Sequence, residues 1–117
     1  MIKFKHGNPL YEDFVNPSDT DVIPAGTVIN VGGMARVAHV DIPPRRHADD
    51  LCTIASSGGV YEGIAGNPYL PGEAVDYDEA SNKFVPSIGA GLVFGHVEAN
   101  SSSAADGDTI RVVHKPK

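Results

Sequence analysis

Along residues 24–114 apolar side chains recur in short runs of four to seven, divided by glycine, proline or small polar residues. That spacing predicts strands rather than helices, because a buried helix needs a longer 3.6-residue pattern. PAG (24–26) turns the chain into TVINV, and Gly32–Gly33 turns it back into MARVAHV, which predicts a hairpin. Within its second run Met34, Arg36, Ala38 and Val40 share one face, and Ala35, Val37 and His39 the other. LCTIA (51–55) and GVYEGIA (59–65) read as the next pair, joined by Ser56–Ser57–Gly58. EAVDYD and KFVP flank the turn EASN, with Asn82 suited to a left-handed position. In GLVFGHVEA (91–99) the interior Gly95 marks a bulge or a close backbone approach. SSSAADGD (101–108) is a connecting loop with room for one helical turn, and TIRVVH (109–114) is the last strand, alternating Ile110 and Val112 against Arg111 and Val113. PAG, LPG and ADG each launch a strand, and their glycines supply positive φ. Seven to nine short strands without a long helix predict an all-β fold, a small barrel or sandwich.

Residues 1–21 break the pattern. They combine turn signals at Gly7–Asn8–Pro9 and Asn16–Pro17 with isolated apolar residues: Ile2, Phe4, Leu10, Tyr11, Phe14 and Val15. A disordered tail is poorer in such residues. Two readings remain open: an extended arm whose side chains find partners on this domain or another chain, or an ordinary first strand and loop. The division is an arm over 1–21 and a compact β domain over 22–117.

Composition narrows the function. The 117 residues carry four Phe, four Tyr and no Trp, so Val, Ile, Leu and Ala are expected to supply most of the core. The net charge of −6 and the absence of a basic stripe argue against nucleic acid or an anionic membrane as partner. No run approaches membrane-spanning length, and the N-terminus lacks a signal-like apolar segment, so a soluble product made in a cytoplasm is expected. The single Cys52, in LCTIA, reads as a small core residue rather than a nucleophile.

Chemistry is sparse. No histidine pair has metal-ligand spacing. His39 with Asp41 and His47 with Asp49 could meet only through the 41–50 loop, a weak zinc proposal from which a metal-dependent enzyme would use His39, His47 and Asp49. GAGLVFG leads into a strand, not the helix that a phosphate cradle needs. Asp76, Asp78 and Asn82 in GEAVDYDEASNKFV lack the central Gly and final Glu of a calcium loop. Alternation puts Glu73, Val75 and Tyr77 on one face and Ala74, Asp76 and Asp78 on the other, so these carboxylates are expected to shape a turn and a solvated face.

GVYEGIAG, then PGEAVDYDEASNKFV, then GLVFGHVEANSSSAADGDTIRV resemble the successive blocks of a family of phage capsid decoration (cement) proteins. PAG-TVINVGGMARVA resembles that family's first hairpin. The likeness covers residues 22–113, and residues 1–21 are longer and more apolar than the family's short start. It implies a β-rich homotrimer on the outer surface of the virion head, at three-fold or quasi-three-fold positions, stabilising the major capsid protein shell, with no catalysis and no cofactor. On this reading Ile2, Phe4, Leu10, Tyr11, Phe14 and Val15 face the capsid, and Arg45, Arg46 and His47 of the 41–50 loop form a second contact. The alternative is a small β-barrel module of a phage tail or surface structure that binds glycan or peptide, with Tyr61, Tyr69 and Tyr77 as a stacking platform.

Overall fold

A computed structural model describes residues 2–47, 50–89 and 91–116. They form ten strands: β1 (Lys3–His6), β2 (Leu10–Phe14), β3 (Val28–Val31), β4 (Met34–Val37), β5 (Cys52–Ser57), β6 (Val60–Ala65), β7 (Ala74–Asp78), β8 (Lys83–Pro86), β9 (Leu92–Val97) and β10 (Thr109–His114). The fold is all-β, as the patterning predicts, with no helix among the described residues. The 101–108 loop forms no helical turn. The Asp108 carboxylate instead accepts the Ala104 and Ala105 amides at 2.8 and 3.0 Å.

The pairings form a closed circuit. β6 pairs with β8 in parallel, β8 with β7, β7 with β9, β9 with β10 and β10 back to β6, all antiparallel after the first. Each of the five strands sends one ring inward: Tyr61, Tyr77, Phe84, Phe94 and His114, all buried. Phe84 and Phe94 lie 4.9 Å apart at 78°, and Phe94 and His114 4.7 Å apart. Edge-on packing of this kind suits the ring quadrupoles. Most of the buried apolar side chains are Val, Ile, Leu and Ala, as expected, and the scarce aromatics are concentrated among them as this set of rings. Gly63 makes room for them: a Cβ there would stand 2.6 Å from the Phe84 ring.

Gly95 proves to be both a close approach and part of a bulge. A Cβ on it would lie 1.9 Å from the Val113 carbonyl oxygen. The β7–β9 register slips between Val75 and Asp76, whose partners are Gly95 and Val93, so Phe94 has no partner on β7. The slip breaks alternation and buries Val75, Asp76 and Tyr77 in succession. Asp76 therefore does not sit on a solvated face, and its Oδ1 has no hydrogen-bond partner. Asp78 does shape the turn, accepting the Ala80 amide and the Ser81 hydroxyl. Asn82 takes φ 56° there.

From the circuit a wing extends through β4, β5 and β2, with β3 on β4. The β3–β4 hairpin forms as predicted, Val31 opposite Met34 across Gly32–Gly33, both at positive φ. The expected β5–β6 pair does not form. β5 lies between β2 and β4, while β6 lies among β1, β8 and β10. Gly58 and Gly59 carry the chain across, and the last residue of β10 intervenes: Gly58 N–H donates to the His114 carbonyl and His114 N–H to that of Gly59. A second, aliphatic cluster lies under the wing: Ala38, Ile42 and Ile54, joined by Phe14, Ile23, Ile29, Val31 and a half-buried Cys52.

Residues 2–21 are not a separate arm. β1 pairs with β6 and β2 with β5, and buried Ile2 belongs to the main core. Alternation is short in each strand and pairing is long-range, which is why the sequence pattern alone leaves them ambiguous. Residues 16–21 fold back on Asn16, a buried side chain. Its Nδ2 donates to the Asp21 and Pro43 carbonyls at 2.9 and 3.1 Å, and its Oδ1 accepts the Ser18 amide at 2.9 Å.

Candidate functional site: an apolar cleft around His39

β1 and β2 reach the same place from opposite sides. Phe4 of β1 packs on the His39 imidazole at 4.8 Å between ring centroids, and Tyr11 of β2 meets the same ring edge-on at 5.5 Å. Tyr61 of β6 lies beneath, 5.5 Å from Phe4 and 5.6 Å from His39. A cleft of about 250 Å³ opens here, lined by Ile2, Lys3, Phe4, Val37, His39 and Tyr61 among others. The floor is apolar, and the polar groups converge on one imidazole.

His39 Nδ1 lies 3.3 Å from the Tyr11 hydroxyl, and Nε2 is hydrogen-bonded to the Tyr61 hydroxyl. Burial lowers the His39 pKa, so the ring is neutral at physiological pH and one nitrogen accepts while the other donates. Tyr61 is fully buried, and its hydroxyl proton has no other acceptor, so it donates to Nε2. Nδ1–H then donates to the exposed Tyr11 oxygen. Burial also raises the Tyr61 pKa well above the usual phenol range, so this phenol keeps its proton and serves as a hydrogen-bond donor rather than a base. No nucleophile stands beside this pair; what the arrangement does is hold Tyr11 and Phe4 in fixed poses at a wet apolar surface.

Of the expected arm residues, Leu10, Tyr11 and Phe4 are 68%, 53% and 39% exposed. Tyr11 and Phe4 meet at His39, and Leu10 adjoins Tyr11 on the same edge strand. Phe14 and Val15 are half-buried, Phe14 against the wing cluster, and Ile2 is core. Burial removes Ile2 from any outward-facing set. His39, the centre of the cleft, is not among the expected contact residues; only its place at the end of an alternating strand could have drawn attention to it. Exposed Val40 follows it in the chain.

The 41–50 loop touches the rim of this cleft only at Asp41, whose Oδ1 accepts the Ala25 amide at 2.8 Å. Arg45 N–H donates to the Ser18 carbonyl at 2.9 Å, and the Arg46 and His47 amides donate to Asp50 Oδ2 at 2.8 and 3.1 Å. Those amides hold the Asp50 carboxyl below the usual range. Arg46 and His47 are exposed and Arg45 half-exposed. The His39–His47–Asp49 metal proposal finds no support: His39 is engaged by two phenols, Asp49 lies outside the described residues, and no group of three or more metal-binding side chains occurs among the described ones. The tyrosine platform is overturned outright. Tyr61, Tyr69 and Tyr77 are all buried, with the Tyr69 hydroxyl donating to the Phe84 carbonyl at 3.2 Å.

No protein family, curated protein or solved structure matches this chain.

Proposed function

We propose that this protein is a phage capsid decoration protein: a non-catalytic homotrimer that attaches to the outside of the head and stabilises the major capsid protein shell. The observation that carries the reading is the cleft around His39. It presents Phe4 and Tyr11, from strands at the two ends of the sheet path, on His39, whose ring is hydrogen-bonded to the buried Tyr61 phenol. A preordered apolar patch loses little side-chain entropy on docking, so even a small contact is effective. Three copies on a symmetric lattice add avidity without any strong single site. The acidic surface, net −6, suits a protein that must not adsorb to DNA during assembly. The resemblance of residues 22–113 to the decoration family points the same way, and Arg45, Arg46 and His47 remain the second candidate contact.

Deletion of the N-terminal segment is the wrong test, because it would remove Ile2 and two sheet strands. The double substitution Leu10→Ser, Tyr11→Ser leaves the core untouched. Co-sedimentation with expanded shells of the cognate major capsid protein should show binding by the wild type and at least tenfold weaker binding by the double variant. Equal binding by both would remove the cleft from the attachment surface. A monomeric mass for the wild type in solution and on the shell would remove the trimer.

A further inference from the structure

A larger cavity than the His39 cleft lies elsewhere, at the bulge. About 470 Å³ opens to solvent among Ala74 and Val75 of β7, Ser87, Val93, Gly95 and His96 of β9, and the Lys115–Pro116 tail. That volume falls in the range of small-molecule sites. It lies beside the register slip, where β9 spends an extra residue at Phe94 and the β10 backbone packs directly on Gly95. Bulges re-aim side chains and recur beside binding sites.

The lining has a definite chemistry. Val75, Val93 and Pro116 make an apolar wall, and no carboxylate stands among the described lining residues. Two groups able to meet an anion are present, the Lys115 ammonium and the His96 imidazole. Neither has an ion-pair or side-chain hydrogen-bond partner among the described residues. Lys115 is also held in place: its backbone N–H donates to the Phe94 carbonyl at 2.8 Å, pinning the tail to the bulge. Ile88, next to the rim residue Ser87, is 81% exposed.

We infer that this cavity binds a small apolar carboxylate, its alkyl part against Val75, Val93 and Pro116 and its anionic end on Lys115 and His96. The carboxylate has two possible sources, a free alkyl acid or the apolar C-terminus of a peptide. The site is separate from the His39 cleft, so its fate does not depend on the capsid reading.

The test is an amide chemical-shift titration of the full chain with sodium hexanoate, and with 1-hexanol as the uncharged probe. Hexanoate should shift Val75, Val93, Gly95 and His96 together, with affinity on the order of tenfold above hexanol, the scale of one charge-assisted contact. Lys115→Ala, an exposed site, should bring hexanoate down to the level of hexanol. Val93→Trp should block both probes. Shifts scattered over the surface, equal affinity for the two probes, or an unaltered Lys115→Ala titration would overturn the proposal. N-acetyl-Val-Leu as the free acid and as the amide separates the two sources. Preference for the acid over both the amide and hexanoate identifies a chain terminus, whereas hexanoate binding above the dipeptide acid identifies a free acid. Binding by neither acid overturns the site.

Discussion

The five-strand circuit and the wing solve the same problem, covering a sheet face, by different means. The circuit closes its hydrogen bonding on itself and packs one ring from each strand into the middle. The wing ends in open strands, is filled by aliphatic residues, and relies on a polar staple at Asn16. Closure removes sheet edges, so the circuit offers few strand edges for a partner to pair with. The open wing leaves backbone and apolar side chains available to a partner, and the His39 cleft lies where it meets the circuit, with Val37 and His39 on one side and Tyr61 on the other. On the proposed reading the circuit carries most of the stability and the open wing most of the capsid contact.

The sharpest way to break that division is to open the circuit. Phe94 touches Tyr61, Tyr77, Phe84 and His114 and is fully buried. Phe94→Ala should cost about 3–5 kcal/mol, the usual result of deleting a buried ring that its neighbours cannot replace. Chemical denaturation measures it; a loss under 1 kcal/mol would mean that the rings do not form one cooperative core.

Acid attacks the same core. His114 Nε2–H donates to the Ala35 carbonyl at 2.8 Å, while Nδ1 is buried without a partner. Burial lowers its pKa to about 4 from an unfolded value near 6.5. The unfolded chain therefore binds a proton more readily between those values. The neutral ring's contribution is complete above pH 6.5 and is lost as pH falls through about 4. The shift amounts to roughly 3 kcal/mol by linkage. A urea midpoint that stays flat across this window, or that falls equally in His114→Gln, would assign the acid sensitivity elsewhere.

What the sequence made legible follows the same line. Local signals held: the Gly32–Gly33 hairpin, the Asn82 turn and the positive φ of Gly26, Gly72 and Gly107 each depend on a few adjacent residues. The partners of β5 and β6 did not follow from adjacency, because Gly58–Gly59 reads as a hairpin turn whether or not a third strand enters between. Asp76 was misplaced because a bulge on β9 shifts the face of β7, and nothing in β7 itself records it. His39 drew attention only as a zinc ligand, not as the centre of a cleft; its surroundings depend on Phe4, Tyr11 and Tyr61, which are distant in sequence and meet only in the fold.

On the wing, Asn16→Ala should have an intermediate effect. It removes three part-buried hydrogen bonds, to the Asp21 and Pro43 carbonyls and from the Ser18 amide, a loss of about 1–3 kcal/mol. The damage should be local. Limited proteolysis ought to cut first within residues 16–23, with the circuit amides still protected from hydrogen exchange. Loss of protection throughout β6–β10 at the same rate would show that wing and circuit unfold as one, and the division would fail.

The smallest stability effect belongs to the residue that the attachment reading values most. Leu10 begins β2, pairs with Ser57 across a register shift, and is 68% exposed. Its apolar surface is in water in the free protein, so Leu10→Ser exposes nothing new and leaves no cavity. Substitutions of this kind stay within about 0.5 kcal/mol. The denaturation midpoint should match the wild type while shell binding weakens. Should Leu10→Ser cost more than about 1 kcal/mol, the free protein would already bury Leu10 against something, most simply another copy. The mass in solution would then fall with the substitution, and the exposed wing would belong to the trimer rather than to the shell.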